Sequence, residues 1–404
     1  EEKKMKKVLL FLAVIGLTFI MLSCGNKSKD SNRLILSTWS SSQVETEAIN
    51  MLVDAFRNKY PDIPIEIQTL VGEYNDALQT QLLSGGGPDI FWIDAYTINQ
   101  YINLGVLEPL TDFDTEGFIT NMLSPFYVDN ILYAVPKDFS TLALFYNKDM
   151  TEAAGVTIRD NMTWQEFTNS AARLTRNSVT GVGFVFDLAR LNYMFQSDGS
   201  TIEVNGNPNI TNKNVYYILN ELIKLRDNKY MITPTDGGKG WLGELFGAEM
   251  VAMAVEGPWT YSYLKESFPN LNFGIVQVPK NPNGSEFTAA YTVGYGINKN
   301  SKKKDWAKTF IEFVTSEEGM TIPTEKASLL PVRNSLFSLV SNPDLKPFTD
   351  SASKAVVWTG SKNMPYLFQE FANFIPTALE EQNSLKQTLN NIQNAVENTI
   401  KNNP

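Results

Sequence analysis

Apolar residues recur along this chain in two rhythms that take turns. Short apolar runs at 33–38, 64–70 and 89–93 read as strands. Between the first two, Val44, Ala48, Leu52, Ala55, Phe56 and Tyr60 fall on one face at helical spacing, predicting a helix over 44–60. Ser42-Gln43-Val44-Glu45 has the form of a capping box at its start. A second helix is predicted over 74–83 and ends at Gly85-Gly86-Gly87-Pro88. No Lys-Ser/Thr follows those glycines, so they mark a turn rather than a phosphate cradle. The alternation returns further on, with strands at 141–146 and 289–297 and helices at 163–175, 215–227 and 305–315. Near the end, Leu385, Leu389, Ile392, Val396 and Ile400 form a helical stripe. Strands alternating with helices imply parallel sheets covered by helices on both faces. The length suits two such units.

The first residues follow neither rhythm. Lys3, Lys4, Lys6 and Lys7 precede an unbroken apolar run of 15 residues, 8–22. A bilayer span needs about 20 residues, so the run fits the centre of a secretory signal. It ends Met21-Leu22-Ser23-Cys24-Gly25, with a small residue before the chain's single cysteine. This resembles a bacterial lipobox with a looser interior, since Met21 and Leu22 stand where Leu and a small residue are usual. Cys24 is the expected lipid attachment, and Met5 the expected start, with Glu1 to Lys4 an upstream extension. The polar stretch 25–32 then reads as a flexible tether.

Composition narrows the chemistry. With Cys24 lipidated, no thiol remains for a disulfide or for thiol catalysis. The chain has no histidine, which removes the commonest general base and zinc ligand; no metal or other cofactor is expected. Removing residues 1–24 takes away four lysines and two glutamates, moving the formal charge from −10 to −12. A nucleic-acid surface would be basic, so nucleic acid is excluded as a partner. Aromatic residues make up 12% of the chain, enough to furnish flat binding platforms.

Nine short motifs carry a resemblance. They are Thr38-Trp39-Ser40, FRNKYPDIPI at 56–65, PDIFWID at 88–94, GVLEPL at 105–110, VPKDFSTLALFYNKD at 135–149, Thr163-Trp164, Ala252-Met253 with Glu256-Gly257-Pro258-Trp259, GYGIN at 294–298 and LPVR at 330–333. In kind and order they resemble the extracytoplasmic sugar-binding proteins of ABC importers, the family 1 solute-binding group that includes maltose-binding protein. The resemblance implies an α/β, two-lobed periplasmic-binding-protein-like (type II) fold, each lobe a mainly parallel sheet flanked by helices. Lobe 1 is expected over 33–139 and 294–332, lobe 2 over 140–293 and 333–404. It further implies a monomer that captures a mono- or oligosaccharide without chemistry and delivers it to ABC importer permease subunits. The lipid on Cys24 would hold it to the membrane, extracytoplasmically, on the periplasmic or outer surface.

Sugars present hydroxyls and apolar ring faces, so their sites combine aromatic platforms with fixed donors and acceptors. In open α/β sheets these belong in loops at strand C-terminal ends. Trp39 and Ser40 follow the first strand, and Glu45 opens the next helix, either as ligand residue or as part of the capping box. Asp94 and Tyr96 follow the third strand, Asp94 as sugar-hydroxyl acceptor or helix cap. By the resemblance, Asp138 and Ser140 sit at the first crossing between lobes, where maltose-binding protein has Glu in place of Ser140. Gly257 would let backbone approach the ligand, with Trp259 as the second-lobe platform and Trp241 as a further one. Tyr295 and Arg333, at the later crossings, complete the set. Asp89 is read as structural, and Trp92, Trp306 and Trp358 as packing residues. Two other readings remain open: a surface glycoside hydrolase using Asp94, Asp138 or Glu256, and the same fold binding a polyamine or peptide.

Overall fold

Two rows of hydrogen-bonded strands organise the chain, and each is assembled from segments distant in sequence. The structure is a computed structural model, which describes residues 32–39, 43–70, 72–327, 329–380 and 383–402. The expected signal, Cys24 and the tether up to residue 31 lie outside the described residues, as do Ser40 and Ser42.

The strands are β1 (Leu34–Trp39), β2 (Ile65–Leu70), β3 (Ile90–Asp94), β4 (Ala134–Thr141), β5 (Ala143–Asn147), β6 (Thr180–Gly183), β7 (Met231–Ile232), β8 (Val251–Glu256), β9 (Phe273–Gln277), β10 (Thr288–Ile297) and β11 (Ala355–Val357). The first sheet has the order β11-β10-β3-β1-β2, with β4 on β10. There β1 is parallel to β2 and β3, while β10 runs antiparallel to β3 and β4. The second sheet has the order β7-β6-β8-β5-β9, with β6, β7 and β8 parallel and β5 antiparallel to both its neighbours. Each sheet is thus a parallel core carrying antiparallel strands. Those antiparallel strands are the chain's route between lobes: β4 leads into β5 through Leu142, and β10 returns beside β4. β11 pairs with Thr288–Ala290 of β10. A segment beyond Arg333, expected in the second lobe, therefore supplies a strand to the first sheet.

Helices pack on both sheets: α1 (Gln43–Lys59), α2 (Tyr74–Leu83), α3 (Trp164–Leu174), α4 (Leu188–Phe195), α5 (Lys213–Asp227), α6 (Trp259–Ser267), α7 (Lys304–Val314), α8 (Glu317–Ala327), α9 (Met364–Leu379) and α10 (Leu385–Asn402). Their periodicity is buried as expected: Ala48, Leu52 and Phe56 of α1 and Leu389, Ile392 and Val396 of α10 lie inside. Thr163 caps α3 in a full capping box with Glu166. Among the described residues no helix is long and apolar enough to cross a membrane.

Strand alternation sorts the core. In β5, Phe145 packs with Phe246, Phe273 and Phe348, continuous with the interior of the first sheet. Its neighbour Leu144 points to the other face, among Phe167, Val182, Leu219 and Phe371. Asp89 ties the first sheet to the segment leading into α7: it accepts from Ile35 N at 2.8 Å and Ser301 Oγ at 2.6 Å, and pairs with Lys303 at 3.2 Å. This is the structural role expected of it. Trp92 is fully buried and Trp358 3% exposed, as packing residues should be.

Candidate functional site

One cavity of about 320 Å³ opens between the sheets, lined by Trp39, Val44, Glu45, Lys137, Asp138, Ser140, Pro258, Trp259, Ser262, Tyr291, Val293, Ala327 and Leu329. Strand pairing explains much of this set. Val293 of β10 lies opposite Asp94 of β3 on one side and Asp138 of β4 on the other. Directly opposed residues share a sheet face, so both carboxylates stand beside Val293. Two residues along β10, Tyr291 opposes Ser140, and both reach the cavity.

Lys137 and Asp138 are consecutive, and consecutive strand residues ordinarily point to opposite faces. Here the pairing shifts: Asp138 opposes Val293 but Pro136 opposes Gly294, leaving Lys137 as the extra residue of a bulge. The bulge brings the Lys137 ammonium onto the Asp138 carboxylate. Glu45, in the first turn of α1, approaches the same ammonium at 3.5 Å. The Lys137 ammonium also lies 4.5 Å from the centre of Trp92, whose ring meets Trp39 edge-on at 4.9 Å. Burial works against the Lys137 charge, but Asp138 and Glu45 outweigh it and hold the ammonium above its ordinary pKa. Burial raises the Asp138 carboxyl, opposed by Lys137. The Asp94 carboxyl is pushed up to about 7 by burial, opposed by Lys137 and reinforced by Asp138.

The second-sheet wall is built differently. Trp259 is the first residue of α6, 38% exposed, and Ser262 follows on the same helical face. The Glu256 carboxylate accepts from Trp259 Nε1 at 3.0 Å and from Gly257 N at 3.1 Å, and pairs with Arg190 of α4 at 3.2 Å. The Arg190 guanidinium lies 4.9 Å from the Trp259 ring centre and 5.7 Å from that of Tyr291. Burial raises the Glu256 carboxyl, against the pull of Arg190.

Of the residues expected from sequence, Trp39, Glu45, Asp138, Ser140 and Trp259 line this cavity; Asp94 stands in the strand row beside it. The others have different surroundings. Tyr96 packs on Trp358 and Phe368 at 5.6 and 6.3 Å. Trp241 turns edge-on to Tyr263 at 4.8 Å and folds over Gly243. Tyr295 continues the alternation of Tyr291 and Val293 but is 3% exposed, packed on Phe310, one step too deep to line the space. Arg333 donates to the carbonyls of Thr315 and Glu116 at 2.7 Å and covers Phe118, joining parts of the first lobe. At Gly257 a Cβ would fall 2.1 Å from the Trp259 ring.

Lys137, Arg190, Tyr291 and Ser262 were not singled out by sequence. Tyr291 could have been found from the period-two run Tyr291, Val293, Tyr295 on a predicted strand, and Ser262 from its helical spacing to Trp259. Arg190 carries no local signal, because its partners come from β8, α6 and β10.

Comparison with known proteins agrees with this architecture. A family model described as bacterial extracellular solute-binding protein matches residues 40–321. The arabinooligosaccharide-binding protein of Bacillus subtilis is 26% identical over 345 residues, covering 78% of this chain and 78% of that protein. The multiple sugar-binding protein of Streptococcus mutans is 23% identical, covering 88% of this chain and 90% of that one. An ABC substrate-binding protein from Listeria monocytogenes, solved in complex with cycloalternan, superposes with a TM-score of 0.80 at 23% identity over 91% of this chain and 99% of its own. The GacH receptor of Streptomyces glaucescens, solved unliganded and with acarbose, gives 0.81 at 23% identity over the same shares. Those likenesses show the two-lobed α/β fold, and the family match extends over well more than half of the sequence. This chain belongs to the bacterial extracellular solute-binding protein family.

Proposed function

We propose that this protein captures a mono- or oligosaccharide in the cavity between its sheets and delivers it to the permease subunits of an ABC importer. One observation carries the reading: Trp39 and Trp259 enter one cavity from opposite lobes, with the carboxylates of Glu45 and Asp138 beside the first. Two aromatic platforms suit the apolar faces of sugar rings, and carboxyl oxygens can accept hydrogen bonds from hydroxyls. The curated relatives named above bind sugars by their names, which supports the same ligand class. Ligand contacts made with both walls would favour the closed form over the open one, coupling capture to delivery.

Binding without chemistry fits the site better than hydrolysis. A glycosidase sets two carboxylates across the scissile bond, about 5 to 9.5 Å apart. Here Glu45 and Asp138 share one ammonium on one wall, while Glu256 opposite is 1% exposed and bonded to Arg190, Trp259 and Gly257. We further read the protein as a monomer held extracytoplasmically by a lipid on Cys24. A Cys24→Ser variant should lose membrane association in cell fractionation.

Thermal shift with maltotriose, arabinotriose, mannobiose, free hexoses, spermidine and a tripeptide tests the ligand class. A raised melting temperature with one or more sugars is expected. A shift with spermidine or the tripeptide and none with a carbohydrate would overturn the reading, as would cleavage of a labelled oligosaccharide by the protein.

A further inference from the structure

We propose that Arg190 is a positioning residue that fixes the Trp259 indole in the orientation a ligand meets, a role that rests on reading Trp259 as a ligand platform. An indole at the first position of a helix, more than a third exposed, has rotamer freedom that binding would have to remove. Arg190 restrains it in two ways. Its guanidinium lies over the ring, 4.9 Å from the ring centre. Its Nη2 lies 3.2 Å from Glu256 Oε2, the same oxygen that takes the indole N–H at 3.0 Å. The ring is therefore held on a face and at an edge by one linked set of charges.

The set is itself anchored. Asp187 caps α4 by accepting from Arg190 N at 2.7 Å, and Tyr291 lies against the guanidinium while donating its hydroxyl proton to Ala189 O at 2.9 Å. Beneath the ring, Gly257 leaves room that any Cβ would take. Four elements, β8, α4, α6 and β10, meet around this one side chain. Without Arg190, Glu256 would be a buried carboxylate lacking its counter-charge, and its hold on the indole would weaken with it.

The test reads the ligand-free protein by ¹⁵N indole spectra. Trp259→Phe identifies the Trp259 signal among the seven tryptophans. In Arg190→Met that signal should move or broaden and its N–H should exchange with solvent at least about tenfold faster, while the other six stay in place and report an intact fold. Arg190→Lys should give an intermediate displacement, since an ammonium can pair with Glu256 but cannot cover the ring as a plane. An unchanged Trp259 signal in Arg190→Met would overturn the proposal. Should that variant not fold, an unchanged signal in Arg190→Lys would do so instead. Ligand readouts separate this inference from the reading beneath it. With maltotriose, arabinotriose and mannobiose as probes, Trp259→Ala should abolish the melting shifts. If it leaves them intact, the platform reading fails while the spectroscopic result on Arg190 stands.

Discussion

The two walls of the cavity use the same device in opposite proportions. On the first-lobe wall a buried lysine, Lys137, stands among Asp138, Glu45 and, through their mutual field, Asp94. On the second-lobe wall a partly buried arginine, Arg190, faces one carboxylate, Glu256, and two aromatic rings. The first wall gathers its carboxylates around a buried ammonium, and Glu45 and Asp138 line the cavity. The second uses its charges behind the surface and presents an indole. Both walls present an indole, Trp39 on the first and Trp259 on the second, and they differ in whether carboxylates line the cavity beside it.

The largest effect should come from the crowded wall. Lys137→Met would strand its carboxylates in a buried site and should cost about 3–5 kcal/mol in urea unfolding. Arg190→Met strands one carboxylate and should cost visibly less; equal losses would break the contrast between the walls.

Asp94 sharpens it by pH. Its folded pKa is raised from 3.8 to about 7, so its ionisation opposes folding. The penalty is absent below about pH 4, grows as pH rises through 7, and is complete above that. Asp94→Asn should therefore stabilise the protein by on the order of 4 kcal/mol at pH 8 and by nothing near pH 4. A pH-independent difference in denaturation midpoint would remove Asp94 from the first wall's charge set.

Gly257→Ala addresses the opposite wall. The new Cβ must displace the Trp259 ring, so sugar affinity by calorimetry should fall about tenfold while stability changes by about 1–2 kcal/mol. Unaltered affinity would mean that ring position does not matter. The smallest effect is expected for Trp241→Phe, whose ring packs on Tyr263 outside the cavity; affinity should stay within about twofold.

Period and order in the chain were enough for most of the fold. The helical stripes of α1 and α10 and the runs of β1 to β3 are local patterns, and they are buried as their spacing implies. Motif context likewise placed Trp39, Glu45, Asp138, Ser140 and Trp259 at the cavity. Legibility failed where a residue's role depends on depth or on a distant partner. Tyr295 and Val293 obey the same alternation, and only the helix packed behind the strand decides that Tyr295 is core. The packing of the Trp259 ring over Gly257 is likewise a side-chain conformation that spacing along the chain does not fix.

By itself, then, the sequence determined the kind of molecule: alternating strands and helices, a lipobox-like cysteine, no histidine, and aromatic residues near the C-terminal ends of strands. These are properties of neighbours along the chain, fixed by backbone geometry and solvent preference. Tertiary structure alone decided which charges meet. A bulge where β4 pairs with β10 turns Lys137 toward Asp138, and the approach of α4 to β8 sets Arg190 on Glu256 and Trp259. Electrostatic partnership acts through space at a few ångströms, and residues 66 positions apart reach that distance only when the chain has folded.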